Sequence, residues 1–489
     1  MKRIGAMILA GVLSVGAAFA ESPKSLVRLN NLSDKEIREL VTRDYDIARV
    51  GPDFLELVVT APEKARLSRT GRRMRDLIPN LDAYVTQRLA EQTPQNSYFT
   101  YETMTARLQE WATQYPDIVR LSSVGKTWEG RDIWAVKLSD NPDQDEKEPA
   151  VLINGVHHAR EWMTVQIPME ALRQLLEGYG KDERLTRLVN EREIWFVPMV
   201  NPDGYTYSQN GSKYWRKNRR NNNGTFGVDL NRNYGYKWGM TGSSSSPSSD
   251  VYHGPNEFSE PETQTMKALA EREHFQVSLS FHSYSELILY PFAYAYGAPN
   301  PDEALYKKFG AEMAVFNGYK VQNCTELYPC MGVSDDWFYG AEKTLAFTYE
   351  VGKTFIPPAT EIPAMNALNV PPTLLAIEKT AAYAVNSTSG NTEFIGSLDL
   401  TDGLKALSLA EELHGKTPAP AIAAKLDLTA KRVSDLISRD LLRGDLSTWK
   451  QAGTQTLARD VAKLVRDRIA FECLHGHAVS PAVLAEVLK

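Results

Sequence analysis

Several things are scarce in this chain. Cysteine occurs three times in 489 residues, too few for a disulfide scaffold. Neither sign of charge dominates: 55 Lys plus Arg against 61 Asp plus Glu leave a formal net charge of −6. That balance does not suit a chain built to coat nucleic acid. No internal repeat is visible, and after the first residues no stretch is long and apolar enough to span a membrane. With 43% hydrophobic and 24% charged residues, wholesale disorder and fibrous architecture are excluded. At roughly 100–200 residues per domain, the length predicts two to four domains.

The one apolar terminal run is at the start. Lys2 and Arg3 precede Ile4 to Leu13, and small residues end in Ala18-Phe19-Ala20 before Glu21. A basic start, a short apolar core and an A-x-A end read as a signal peptide over residues 1–20. The expectation is a secreted or periplasmic protein with no membrane contact once the signal is cut. Export gives the cysteines a context. Cys324 and Cys330 lie close together, and an oxidising compartment favours a bridge between them. Cys473 has no evident partner.

Three further blocks follow. Residues 21–95 mix helical patterns (Asp34 to Thr42, Glu63 to Leu77) with the strand-like run Phe54 to Val59, a small α+β unit. It ends in the polar linker Glu91 to Ser97. Residues 96–386 alternate apolar strands (Val151–Val156, Ile194–Val200, Val277–Phe281, Leu345–Glu350) with amphipathic helices such as Met163 to Tyr179. That alternation predicts an α/β sheet covered on both faces. The Ser-rich stretch Gly242 to Ser249 should be a surface loop. Residues 387–489 read as helical, a domain of unknown role. Ala421 to Leu442 resembles a helix-turn-helix, but the export signal argues against nucleic acid and for a packing or docking module.

Chemistry collects just past the strands of the second block, where open α/β sheets bind ligands. After the first strand comes His157-His158-Ala159-Arg160-Glu161-Trp162, and after the third His282-Ser283-Tyr284. Two imidazoles and a carboxylate with one open position form the usual layout of a catalytic zinc. The H-x-x-E fragment alone is weak, since a merely hydrogen-bonded His158 would explain it equally. More follows: Asn201-Pro202-Asp203-Gly204, Tyr214-Trp215-Arg216-Lys217, Asp229-Leu230-Asn231-Arg232, Leu327-Tyr328-Pro329, Ser334-Asp335-Asp336-Trp337 and Thr348-Tyr349-Glu350.

Together these motifs, in this order, resemble the zinc metallocarboxypeptidases of the carboxypeptidase A/B type over most of residues 98–386. The resemblance implies a mixed, mostly parallel eight-stranded sheet between helices, preceded by an amino-terminal pro-region. It implies one Zn2+ on His158, Glu161 and His282, with Asp229 orienting the first histidine. Glu350 is implied as general base and Arg216 as the cation beside the scissile carbonyl oxygen. Asn231, Arg232 and the mobile Tyr328 would clamp the substrate's terminal carboxylate, with Arg160 and Tyr284 further out. A cis peptide bond at Ser283–Tyr284 is implied too. Asp335 stands where the type that cuts Lys and Arg carries Asp, so release of C-terminal Arg or Lys is expected. Met331 and Val333 replace smaller residues nearby, which leaves mixed specificity open.

The expected activity is removal of the last residue from peptide and protein C-termini, after an activating protease cuts the precursor. A peptidoglycan amino-acid amidase on the same scaffold, or a catalytically silent binding protein, are the alternatives. Against the first, Asn231 and Arg232 look intact; against the second, neither Glu350 nor a metal ligand is lost.

Overall fold

A computed structural model describes residues 23–90, 93, 97–146 and 148–382. The expected signal peptide, the C-terminal domain 387–489, Cys473 and most of the linker lie outside the described residues.

The N-terminal part builds one antiparallel sheet. Its strands are β1 (Ser25–Asn30), β2 (Asp46–Val50), β3 (Phe54–Val59) and β4 (Arg73–Ile78), in the order β2-β3-β1-β4. Helices α1 (Asp34–Val41), α2 (Ala61–Ser68) and α3 (Leu81–Leu89) accompany it. Ser33 and Glu36 start α1 with a reciprocal capping box. The helical pattern expected over Glu63 to Leu77 breaks in two. Helix α2 stops at Ser68, Gly71 at φ +72° then turns the chain in a left-handed conformation, and Arg73–Ile78 becomes an edge strand on β1. Charges at alternate positions of an edge strand read locally like the polar face of a helix.

The larger part contains α4 (Tyr101–Gln114), β5 (Val119–Lys126), β6 (Asp132–Leu138), β7 (Ala150–Gly155), α5 (Met163–Gly178), α6 (Glu183–Asn190), β8 (Glu193–Val197) and α7 (Pro202–Asn210). Then come the short β9 (Asn221–Asn222) and β10 (Thr225–Phe226), α8 (Pro261–Glu273), β11 (Val277–His282), β12 (Leu287–Tyr290) and α9 (Glu303–Asn317). It closes with β13 (Lys320–Asn323), α10 (Cys324–Leu327), α11 (Ser334–Gly340), β14 (Leu345–Glu350) and α12 (Ile362–Lys379). Eight strands make one mixed sheet in the order β13-β12-β14-β11-β7-β8-β6-β5. The inner strands β14, β11, β7 and β8 run parallel to one another.

The sequences of those inner strands explain why both faces are covered. Val151 and Ile153 of β7, Ile194 and Phe196 of β8, and Leu345 and Phe347 of β14 enter one core cluster. Ala150 and Leu152, Trp195 and Val197, and Ala346 enter a second. Successive side chains point to opposite faces of a strand, so a near-continuous apolar run needs a layer on each side. Each fully buried aliphatic or Phe side chain contributes roughly 1.5–3 kcal/mol.

The Ser-rich stretch is only partly on the surface. Gly242, Ser243 and Ser244 are buried, and Ser244 exchanges backbone bonds with Val251 and His253. The exposed part is Ser245 to Ser249, where Ser245, Ser246 and Ser248 reach solvent.

The exit from β7 is the tightest point. A Cβ on Gly155 would sit 2.3 Å from the Thr164 carbonyl oxygen at the start of α5. Val156 follows at φ +58°, its amide donating to Thr164 Oγ1 at 3.1 Å. Gly155→Val should therefore lower stability by about 1–3 kcal/mol or more through overpacking. Calorimetry would show a lower Tm, and an unchanged Tm would contradict this packing.

Candidate active site and metal centre

Four strand ends assemble the site. His158 and Glu161 lie on the turn after β7, His282 ends β11 and Glu350 ends β14. His282 and Glu350 are direct partners in the parallel ladder, so neighbouring strands set their separation. The loop after β8 is tied in by Asn201, whose Nδ2 donates to the His157 carbonyl at 3.1 Å and the Lys217 carbonyl at 3.2 Å. The amide of Ala159 donates to the Arg216 carbonyl at 2.9 Å. Two distant motifs are thus stitched together through backbone groups.

His158 Nδ1 lies 2.7 Å from Glu161 Oε1, and His282 Nδ1 lies 3.1 Å from Glu161 Oε2. The two Nδ1 atoms are 3.1 Å apart. All three side chains are buried, and their ligand atoms lie within 4.8 Å of one another. Two imidazoles and a carboxylate grouped this closely form a donor set suited to a cation. The donor set fits a zinc ion with an open fourth position.

Asp229 links this centre to the neighbouring cations. Its Oδ1 is 3.3 Å from His158 Nε2, and its Oδ2 accepts from Arg216 Nε at 2.9 Å. Burial alone would raise the Asp229 carboxyl, but Arg216, His158 and Arg232 hold it well below the usual carboxylate range. Arg232 is fixed by donating from Nε to the Gly242 carbonyl at 2.8 Å and from Nη1 to the Asn231 carbonyl at 2.7 Å. Its remaining arm faces the Tyr328 hydroxyl at 3.4 Å. Asn231 Oδ1 accepts the Ser334 amide at 2.8 Å. Burial, reinforced by Glu161 and Asp335, pushes the Glu350 carboxyl well above its ordinary range, with Arg216 opposing.

The outer residues are engaged by the N-terminal sheet. Arg160 is fully buried and grips Asp46 of β2 with both arms, Nη2 donating to Oδ1 at 2.7 Å. Its guanidinium also lies 4.0 Å from the Phe355 ring centroid. Arg216 Nη1 is 4.0 Å from the same Asp46. The Tyr284 hydroxyl donates to Glu56 of β3 at 2.8 Å. The Ser283–Tyr284 bond is cis, as the resemblance implied, and Pro291–Phe292 is a second cis bond that it did not suggest.

Of the two adjacent acids on α11, the structure distinguishes clearly. Asp336 accepts the amides of Ala293 at 2.8 Å and Tyr294 at 3.0 Å, a structural role. Asp335 accepts from Thr348 Oγ1 at 2.6 Å. Burial pushes its carboxyl up to about 7. Val333 contributes to an apolar cluster with Leu289, Ala293, Cys324 and Cys330. A Cβ on Gly239 would meet the Met331 sulfur at 2.8 Å, which places that side chain against the 237–240 turn.

The expected Cys324–Cys330 bridge is a correction. Both cysteines are buried as free thiols. Burial pushes Cys330 up to about 11 and Cys324 further, and both sit in apolar surroundings, so neither is a ready thiolate. Residues that sequence reading missed are Asp46, Glu56, Phe355 and Tyr234, whose hydroxyl is 2.8 Å from His157 Nε2. Asp46 and Glu56 carry no local motif; only tertiary contact reveals them.

Comparison with known proteins agrees with this geometry. A family profile described as zinc carboxypeptidase matches residues 104–370. A zinc carboxypeptidase of Saccharothrix mutabilis subsp. capreolus is 35% identical over 357 residues, covering 68% of this chain and 82% of that protein. Human carboxypeptidase B is 34% identical over 305 residues, covering 59% and 71%. Among solved structures, carboxypeptidase A from Helicoverpa armigera aligns with TM-score 0.66 at 24% identity, covering 73% of this chain and 97% of that one. Thrombin activatable fibrinolysis inhibitor aligns with TM-score 0.62 at 26% identity, covering 75% and 100%. The chain belongs to the zinc carboxypeptidase family. It is accordingly a metallo-exopeptidase acting on peptide C-termini, with one zinc ion as cofactor.

Two measurements check the centre. Asp229→Asn should weaken zinc affinity by about 10–100-fold, read by competition with a chelating dye; unchanged affinity would remove Asp229 from the metal's support. Alkylation in denaturant without reductant should label both Cys324 and Cys330 in full. A bridged peptide in the mass spectrum would contradict the free thiols.

Proposed function

We propose that the chain is an exported carboxypeptidase precursor whose mature form releases C-terminal Arg and Lys by a Glu-assisted hydrolysis. The observation that carries this reading is Asp335: a buried carboxylate with one side-chain hydrogen bond, beside a centre where Glu350, Arg216 and Arg232 converge. When bound, zinc supplies Lewis acidity at His158, Glu161 and His282. The chain's own residues do the rest. Arg232, with Asn231 and Tyr328, grips the terminal carboxylate by charge-assisted hydrogen bonds, which restricts cleavage to the last peptide bond. Glu350 takes a proton from the attacking water and returns it to the leaving amine. Arg216, held in place by Asp229, offers its cation to the carbonyl oxygen as that oxygen gains charge. A buried carboxylate without a cationic partner is costly, so a Lys or Arg side chain reaching Asp335 is favoured, with Val333 giving the wall an apolar side.

Residues 21–95 act as a pro-region. Asp46 occupies Arg160 and Glu56 occupies Tyr284, two groups assigned to substrate, so the uncut chain is blocked at its outer cleft. The basic stretch Arg69 to Arg75 and the segment near residues 91–97 are the candidate cut sites for an activating protease. Secretion or periplasmic delivery follows from the N-terminal signal.

Asp335→Asn should cut the ratio of kcat/KM for C-terminal Arg over Leu by about 30-fold or more, corresponding to about 2 kcal/mol. In the wild type the same ratio should rise with pH. Below about 7 the raised Asp335 carboxyl is protonated and offers no charge, and above it the carboxylate attracts the cation. A ratio that is flat with pH and insensitive to Asp335→Asn would discard the basic preference. For the pro-region, Asp46→Ala leaves Arg160 buried and unpaired, a loss of about 3–5 kcal/mol for a broken buried pair. The uncut variant should then hydrolyse a long peptide markedly faster than the uncut wild type; equal rates would deny that Asp46 blocks the cleft.

A further inference from the structure

The N-terminal unit makes a third contact of this kind, on a residue that no assignment above uses. Lys24, one residue before β1, reaches Asp250 at the end of the Ser-rich loop. Its Nζ lies 2.7 Å from both carboxylate oxygens. The two side chains are 6% and 14% exposed, so this is not a surface pair. The ammonium also lies 6.0 Å from the Trp215 ring centroid, one residue from Arg216. Burial would raise the Asp250 carboxyl, but Lys24 and Lys217, with Arg160 behind them, keep it below its ordinary range.

Three direct contacts over the cleft pair opposite charge or donor with acceptor, although Glu63 of the same N-terminal unit also lies in the field of Asp250. Where the cleft offers donors, at Arg160 and Tyr284, the N-terminal unit supplies the carboxylates Asp46 and Glu56. Where the cleft offers an acid, at Asp250, it supplies a lysine. Asp250 takes that lysine on both oxygens although Lys217 and Arg160 already lie in its field. Lys217 Nζ donates to the Pro247 carbonyl at 2.8 Å. A third cation is therefore accommodated at Asp250.

We propose that Asp250 is a subsite for a cationic side chain of the substrate, upstream of the bond that is cut, and that Lys24 is its stand-in in the uncut chain. This rests on the reading that residues 21–95 leave the cleft on maturation. The mature enzyme would then read charge twice: once in the last residue through Asp335, and once further up the peptide through Asp250. Its substrates would be peptides with clustered basic residues at the C-terminus.

The test uses the processed, zinc-loaded enzyme and peptides that share a C-terminal Arg. A single Lys, Ala or Glu is placed at each of the second to fourth positions from the end, and an N-acyl-arginine serves as reference. At one of these positions Lys should exceed Glu by on the order of 10-fold in kcat/KM, through KM, at low salt. The advantage should shrink as salt screens it. Asp250→Asn should bring the Lys-to-Glu ratio close to one, and Asp250→Glu should restore it; Asp250→Ser replaces Asp250→Asn if the latter does not fold. If the reference is cut but Lys and Glu are equal at every position, the subsite is overturned while the carboxypeptidase reading stands. A carboxylate that collapses onto Lys217 or Arg160 after maturation would give that equality, and a preference that survives in Asp250→Asn would overturn the subsite in the same way. If the fully processed enzyme leaves the reference and all peptides intact, the proposed activity itself fails and the subsite falls with it.

Discussion

Buried cations govern this site. Arg160, Arg216 and Arg232 are all nearly or fully withdrawn from solvent, and an ion in that position is tolerated only with partners. Asp229 pairs with Arg216, and in doing so it sits against His158, one of the three side chains grouped to hold a metal. Arg232 is held by the Gly242 and Asn231 carbonyls, which orient it without cancelling its charge. Among the described residues, the carboxylate hydrogen-bonded to Arg160 is Asp46, from the N-terminal sheet. An end of a sheet that buries this much positive charge will accept anions, whether a peptide's terminal carboxylate or the acids of a covering segment. In the proposed reading, the covering of the cleft by the N-terminal sheet and the recognition of substrate follow from the same electrostatic demand.

Rigid elements carry the groups that must not move. His282 and Glu350 sit opposite one another on adjacent parallel strands, with the fixed spacing of roughly 4.8 Å that such strands have. Asn201 and the backbone bonds around Ala159 and Arg216 lock the turns that bear His158 and Arg216. Tyr328, by contrast, directly follows the four-residue helix α10 and packs against side chains of both the N-terminal core and the cysteine cluster. If the N-terminal unit is removed as proposed, Tyr328 loses part of its packing, which suits the closing role proposed for it.

Much of this was legible in the sequence, for a physical reason. Inner parallel strands must be apolar throughout, so Val151–Val156 and Leu345–Glu350 stand out, and the polar residues that end them mark the binding edge. Local motifs therefore located His158, Glu161, His282 and Glu350. Three features escaped. Asp46 and Glu56 lie over 100 residues from Arg160 and Tyr284, and nothing local marks them as partners. The break at Gly71 was hidden because an alternating charged edge strand mimics a helical face. Cys324 and Cys330 suggested a bridge by spacing and compartment, but spacing says nothing of their apolar surroundings, where both remain thiols.

The most direct test of the whole account compares the uncut and the processed chain on peptides that differ only in their last residue: Arg, Lys, Phe, Leu and Glu. Mass spectrometry reads the loss of single residues with and without a chelator. The account predicts that the processed chain removes Arg and Lys first, that the chelator abolishes removal, and that the uncut chain is slow on all of them. Chelator-insensitive trimming, or no trimming by processed, zinc-loaded protein, would contradict it.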